Sequence, residues 1–426
     1  MRVQRFMQAC ALAVLLAPAV VRASGYAIYE QGAAALGMAG AYVASAHDAT
    51  AQFYNPAAMT RLEGKQLSVG ASWLSKLTSF SGVAPYPGFG VTEKMKTGNF
   101  FPPNVYFTSH LNEKWAWGVG INAPFGLGVE WEDPSTFTGR TIVTKADLRG
   151  FNGSASLAFA PNAKWSVAAG PSVMYANVEL NNIQTVPSTG GAQVNVAHAK
   201  LKSDYKPGYG FHLAALVTPN EQWRIGATYR SEVKVKIDDG DASFTQIPTG
   251  DPSFDGVVAA GLPPGQPVTT ELVFPGMLSG GVAWNLRPDW TTEVDVLWTQ
   301  WSAFDKLSLR FPKDPSLNQD LVENYDDQIQ IRAGAEHRLA TWMYRFGYYY
   351  DHSPAPSESV TPLLPDANRH GVTVGAGMTR GQWTLDAYNL FLFVENRSTE
   401  GRERNGYNGT YKTYVNALGA AVAYHW

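Results

Sequence analysis

From Lys65 to Trp426 the chain alternates apolar and polar residues with a period of two, the repeat of an extended strand. Trp223, Ile225, Ala227 and Tyr229 share one face, and Arg224, Gly226, Thr228 and Arg230 share the other. Ile329, Ile331, Ala333 and Ala335 oppose Gln330, Arg332 and Glu336; Trp342, Tyr344, Phe346, Tyr348 and Tyr350 oppose Arg345 and Asp351. The pattern predicts fourteen strands, over 65–80, 101–111, 115–124, 149–160, 165–182, 207–218, 223–237, 270–286, 290–311, 326–339, 342–352, 369–379, 382–396 and 412–426. The connections alternate in length. Short ones, such as Asn112-Glu113-Lys114, Arg287-Pro288-Asp289 and Arg380-Gly381, take turns with long ones, over about 81–100, 125–148, 183–206, 238–269, 312–325, 353–368 and 397–411.

A soluble sandwich shows the same period, so the decision rests on other features. Trp115, Trp165, Trp223, Trp290, Trp342 and Trp383 each stand just after a short turn. That spacing puts a ring of indoles at one level, as at a membrane interface, and a sandwich core gives no reason for it. Short turns at one end with long loops at the other are the asymmetry of an outer-membrane barrel. No apolar run long enough for a spanning helix follows residue 23. Strands closed on themselves are then the remaining way to cross a bilayer with every backbone group paired. Leu418, Ala420, Val422, Tyr424 and Trp426 form a last alternating strand with a terminal aromatic, which resembles the signal read by the barrel insertion machinery. The predicted class is an all-β transmembrane barrel of fourteen antiparallel strands with a small, partly helical plug in its lumen.

The amino end lacks the strand pattern. Arg2 and Arg5 precede the apolar run Ala9–Val21, and Val21-Arg22-Ala23 is a small-residue cleavage site, so 1–23 reads as a secretory signal peptide. The sole cysteine, Cys10, lies within it, so the mature chain is expected to have no thiol chemistry. Cleavage leaves 30 basic and 36 acidic residues, a balance that disfavours nucleic acid. Residues 24–64, rich in Gly and Ala, precede every strand and read as the plug, and 65–426 as the barrel. Small side chains let the plug backbone approach the wall. Asp48 and Asn55 are candidate hydrogen-bond anchors of its turns, with Pro56 restricting Asn55 and Ala57 completing the run.

Several stretches carry a family likeness: Gly37-Met-Ala-Gly-Ala41, Asp48-Ala49 and Asn55-Pro56-Ala57 in the plug, then Ala123-Pro-Phe-Gly-Leu-Gly128 with Trp131. Pro219 to Ser231, Trp298 to Asp305, Tyr349 to Pro356 and Leu364 to Arg369 continue it. In this order the set resembles the FadL-type outer-membrane transporters of long-chain fatty acids and other hydrophobic compounds, along the whole mature chain. The resemblance implies a fourteen-stranded barrel with an amino-terminal plug. It also implies that the first mature residues, Ser24, Gly25 and Tyr26, lie near an internal ligand site and move to release substrate. A third strand kinked around Gly118, Gly120, Asn122 and Pro124 would leave a side opening through which substrate passes into the bilayer.

The physical task is to move an apolar solute past lipopolysaccharide, and apolar pockets serve it where a water-filled pore does not. Tyr388, Leu390 and Leu392 fall on the lumen face of Asp386. Aromatic and apolar residues in the long connections, among them Tyr86, Phe89, Phe125, Leu127, Trp131 and Phe137, are candidates for first capture, each of which could also be buried under its own loop. Lumen charges such as Arg224, Arg332 and Arg345 form salt-bridged lattices in one reading and pair with a substrate carboxylate in another. The acidic run Asp238 to Asp241 reads as a solvated loop. Histidines are scattered without zinc-type spacing, and Gly-x-Ser-x-Gly is missing. The expectation is a monomeric channel without cofactor, lying in outer-membrane lipid and lipopolysaccharide. Long-chain fatty acids are the first substrate class, and aromatic or alkane hydrocarbons the second. An adhesin or antigen built on the long loops, or a barrel hydrolase, are the rivals from other classes.

Overall fold

In a computed structural model, which describes residues 25–187 and 193–426, fourteen antiparallel strands close into one barrel. They are β1 (Lys65–Gly82), β2 (Pro103–His110), β3 (Trp115–Glu130), β4 (Lys145–Asn162), β5 (Trp165–Pro187), β6 (Lys206–Asn220) and β7 (Trp223–Arg230). The rest are β8 (Met277–Arg287), β9 (Trp290–Thr299), β10 (Gln328–Leu339), β11 (Trp342–Asp351), β12 (Arg369–Arg380), β13 (Trp383–Val394) and β14 (Gly409–His425). Each wall strand pairs with its sequence neighbours, and β14 closes on β1 from Gln66↔His425 to Gly82↔Gly409. The expected signal segment lies outside the described residues.

Alternation sorts the two faces. On β9, Glu293, Asp295 and Leu297 are buried in the lumen, while Val294 and Val296 point outward and are exposed. The six tryptophans after short turns each open a wall strand, β3, β5, β7, β9, β11 and β13, as an interfacial belt requires.

Two expectations about the wall change. The third strand does not end at Pro124 but runs on to Glu130, because residues 123–126 find backbone partners inside the barrel. The ninth stops at Thr299, and Lys306–Leu309 instead forms a small hairpin with Gln319–Val322 at the mouth. Two long connections are also largely strand. Gln193–Lys202 pairs with the outer half of β5 and with Val233–Gln246, which pairs in turn with Gln266–Phe274. The run Asp238 to Asp241 is therefore strand, with Asp239 held by Lys206 at 2.6 Å. Asp251 caps the helix Pro252–Gly261 through the N–H groups of Ser253 and Phe254.

Residues 25–62 lie inside the cylinder and are almost wholly buried. The short helix α1 (Ala33–Gly37) packs on β11, β12 and β13, and a 3-10 turn over Pro56–Arg61 packs across the lumen on β3 to β6. Between them lies the one-turn helix α2 (Ala51–Tyr54). The wall meets this segment with glycine: a methyl group on Gly347 would collide with the backbone of Met38 and Ala39, and one on Gly226 with Val43. Only hydrogen in place of Cβ allows that approach.

Candidate functional site

The lumen segment is tied down at its short-turn end. Glu293 and Asp295, two residues apart on β9, point the same way. Asp295 accepts from the backbone N–H of Tyr42 (2.8 Å) and Val43 (3.1 Å), and Glu293 from Ala44 (2.5 Å) and Ser45 (2.8 Å). Four consecutive donors that have no helix to serve are thereby satisfied in a buried place. Asn55 adds a second tie. Its amide donates to the carbonyls of Val43 (2.7 Å) and Ala215 (3.1 Å), and its oxygen accepts from Ala57 N–H (3.0 Å). Pro56 opens the 3-10 turn, where its missing N–H costs nothing. Asp48 accepts from Thr50 N–H at 2.8 Å and from Tyr42 O–H at 3.3 Å, so it holds the local turn and not the wall.

The three candidate arginines separate. Arg345 is fully buried and bridges Glu336 and Asp386, each at 2.6 Å, with Arg338 on the other oxygen of Glu336. This is the lattice reading, and it leaves Arg345 no free face. Arg332 donates to Gln330 and to the Ala39 carbonyl (2.7 Å), and its guanidinium lies against the rings of Tyr29 and Tyr349, 4.1 and 4.6 Å from their centres. Arg224 donates to Asn285 at 3.1 Å. None of the three is brought together with another in one site.

At the other end lies an opening in the hydrogen-bond ladder. β2 and β3 pair only as far as Val105↔Ile121; the chain before β2 next meets the chain just past β3 at the bridge Met95↔Trp131. Between these points the chain before β2 stays on β1, through Leu74↔Phe100 and Lys76↔Gly98, while β3 bulges against β4 between Asn122 and Phe125. The freed backbone groups of β3 turn to the amino-terminal tail. Ile28 N–H donates to the Pro124 carbonyl (2.8 Å), Gly126 N–H to the Tyr26 carbonyl (3.0 Å), and the Gln31 amide brackets both polar groups of Ala123 (2.9 and 3.2 Å).

Gly118 and Gly120 do not sit at this break. They pair fully with Thr108 and Tyr106, and their inner faces meet Met59, Gln52 and the Tyr106 ring. The expected side opening at these two glycines is thus corrected: the ladder is whole there, and the unpaired stretch begins beyond Ile121, with Asn122 and Pro124 at its edge. The loop-capture candidates fall in two places. Phe125 and Leu127 belong to β3. Trp131 and Phe137 are 1% and 3% exposed and stack on each other at 4.1 Å, because apolar rings at the mouth gain more by packing under the loops than by facing water. Exposed aromatics at the long-loop end include Phe89 and Phe101, at 79% and 66%, with Tyr86 exposed in the same connection as Phe89.

Behind the break lies a chamber of about 540 Å³. Leu74, Phe100, Leu390, Leu392, Val394 and Val415 give it apolar walls, and the tail residues Gly25 to Glu30 form one side. Lys76 points into it from β1 and makes no ion pair among the described residues. Its neighbours Arg369 and Arg149 are taken, by Asp351 and Asp147, both at 2.8 Å. The tail's head is clamped by rings: Tyr26 packs edge-on to Trp301 (4.9 Å) and Phe304 (5.2 Å) and donates its hydroxyl to the Val273 carbonyl (2.6 Å). Gly25, at φ +84°, lies so close to Trp301 that a side chain there would strike the indole. Ser24 lies outside the described residues.

Sequence reasoning missed the Glu293/Asp295 cradle as an anchor and missed Lys76 altogether. The cradle had a signal, two acids spaced i, i+2 on a lumen face; Lys76 had none beyond its inward parity.

Comparison with known proteins places this geometry. A family model described as outer membrane protein transport protein (OMPP1/FadL/TodX) matches residues 14–426. The long-chain fatty acid transport protein of Escherichia coli O6:H1 is 27% identical over 396 residues, covering 87% of this chain and 86% of that one. Among solved structures, a Pseudomonas aeruginosa FadL homologue superposes with TM-score 0.82 at 18% identity, covering 94% of this chain and all of that one. The Pseudomonas putida toluene transporter TodX gives 0.66 at 16% identity, covering 95% and 98%. At these identities the two structures speak for the fold.

Proposed function

We propose, from the premise that this chain belongs to the OMPP1/FadL/TodX family of outer-membrane transport proteins, that its chamber carries long-chain fatty acids. Membership makes the protein an outer-membrane transporter of hydrophobic molecules and not an enzyme. The choice of acids over hydrocarbons rests on one observation. Two cations of the chamber, Lys76 and Arg332, have no carboxylate in ion-pair contact among the described residues; Arg332 is already held by Gln330, the Ala39 carbonyl and two rings, whereas the Lys76 ammonium stands among Leu74, Phe100, Leu392 and Val415 with no such hold. A fatty acid supplies what that arrangement wants, a long apolar tail for the walls and a carboxylate for the ammonium. Toluene supplies only the first.

The route follows from the same geometry. Exposed rings such as Phe89 take up the solute, and it settles in the chamber against the tail. Displacement of the tail from Ala123, Pro124 and Gly126 frees those backbone groups, and the solute leaves through the unpaired stretch between residues 98–102 and 122–129. The body of the lumen segment stays in place as the plug. The protein works as a monomer in outer-membrane lipid beneath lipopolysaccharide, after delivery by the barrel insertion machinery.

Uptake of radiolabelled oleate and toluene, in cells lacking their own transporter, tests the substrate class. Oleate uptake is expected in the wild type, and Lys76→Met is expected to cut it severalfold. Toluene uptake with no oleate uptake would reverse the assignment in favour of a hydrocarbon channel. Deleting Ser24–Ile28 is expected to impair uptake with barrel insertion intact. Gly128→Glu, set against the Phe100 ring at the break, is expected to block release; undiminished transport in that variant would place the exit elsewhere.

A further inference from the structure

Beside the chamber lies a second, smaller pocket of about 50 Å³, bounded by Leu180, Leu272, Phe274, Phe304, Leu307 and Leu363. Tyr26, Leu127, Leu148 and Leu364 line both spaces. An apolar solute in the chamber can therefore put its end into the pocket. The volume is a few times what a single water needs, so it holds the end of a molecule and not the whole.

One feature of this pocket has no structural use. Glu323 lines it, is 4% exposed, and its carboxyl makes no hydrogen bond or ion pair among the described residues. Its Oε2 is sealed from solvent without a partner. The side chain is not there by looseness. Glu323 N–H donates to the Asp305 carbonyl at 2.7 Å, and its own carbonyl accepts from Ser359 Oγ at 2.5 Å, so the backbone is fixed on both sides. Asp147, the other acid lining the pocket, is satisfied by Arg149. A buried carboxyl left unpaired in an apolar pocket is costly, and such groups ask for an explanation.

We propose that the pocket around Glu323 is a subsite for a neutral hydroxyl group carried at the end of an apolar solute, such as an alkylphenol or long alkanol. Burial pushes the Glu323 carboxyl up to about 8, against the pull of Arg404 and with Glu403 adding to the rise. At neutral pH the group therefore carries both a donor and an acceptor. A hydroxyl is itself both donor and acceptor, so it can pair with whichever of the two faces it. A hydrocarbon leaves both unmet, and a cationic amine must shed its hydration to face a group without charge. The subsite rests on the reading that the chamber carries apolar solutes, but not on which class fills it.

The test uses full-length protein in lipid nanodiscs, with empty discs to correct for partition into bilayer. Binding of 4-hexylphenol and hexylbenzene is read by tryptophan fluorescence and by displacement of labelled oleate. The phenol is expected to bind about tenfold more tightly than the hydrocarbon. Glu323→Leu should bring the ratio to about one, and Glu323→Gln, which keeps a donor and an acceptor, should retain most of it. Heat-modifiable migration on gels checks that each variant is a folded barrel. A wild-type ratio near one, an unchanged ratio in Glu323→Leu, or preference for hexylamine over the phenol overturns the proposal. The fluorescence arm gives the ratio even where oleate does not bind, so failure of the fatty-acid reading is told apart from failure of the subsite.

Discussion

The two ends of the segment inside the barrel are held in different ways. Toward the short turns, residues 42–45 are gripped by two carboxylates, Asn55 ties Val43 to the wall, and the adjoining wall is braced by the Arg345–Glu336–Asp386 cluster. Toward the long loops, the tail from Gly25 to Gln31 is held by neutral hydrogen bonds to the bulge of β3 and by the rings around Tyr26. The body carries more ties, and the wall beside it is braced by charge-assisted bonds, which are roughly twice as strong as neutral ones. The tail is therefore the part that can move at modest cost, and the body is the part that stays.

Breaking the strong end should have the largest effect. Replacing Glu293 and Asp295 together by alanine strands four buried N–H groups, at about 1–3 kcal/mol each. The heat-modifiable gel shift should fall to clearly lower temperature, and cells should become sensitive to large polar antibiotics as the lumen loosens. Arg345→Met comes next. It leaves Asp386 buried without its cation, a loss on the order of 3 kcal/mol, and should lower the same gel midpoint without opening the lumen. Gln31→Ala acts on the weak end. It removes the bracket on Ala123, about 1 kcal/mol, and maleimide labelling of a cysteine at Ala27 should speed up severalfold while the gel midpoint holds. Equal labelling rates would erase the contrast between the ends.

The smallest effect concerns the mouth. Glu323 has its folded value near 8, above the ordinary 4.5. The stability it contributes is thus complete below about 4.5 and is lost as pH rises through 8. Amide exchange over 301–327 should accelerate from pH 7 to 9 more in the wild type than in Glu323→Gln, once intrinsic rates are removed.

Much of the wall was legible because a barrel strand writes its two faces into alternate residues. Trp223, Ile225, Arg224 and Thr228 lie on the faces their parity assigns. The indoles after the short turns mark strand starts for the same reason, a fixed chemical level repeated around a ring. Places where the chain pairs with something distant in sequence were not legible. Phe125 and Leu127 read as loop because Pro124 interrupts the pattern, yet the tail at Tyr26 and Ile28 supplies the missing backbone partners. For Trp131 and Phe137 capture and burial stayed open, because nothing local shows that Pro362 and Tyr407 lie over them.

Alone, then, the order of residues determined that this chain closes in a membrane, which faces meet lipid, and where the cylinder begins, since parity, turn length and interfacial tryptophan are local and repeat. Only the tertiary structure decided where the ladder between β2 and β3 parts, which lumen carboxylates hold backbone and which hold arginine, and that Lys76 and Glu323 are left without a partner carboxylate or donor. Those outcomes depend on what stands opposite across the lumen, and side-chain parity does not carry that information.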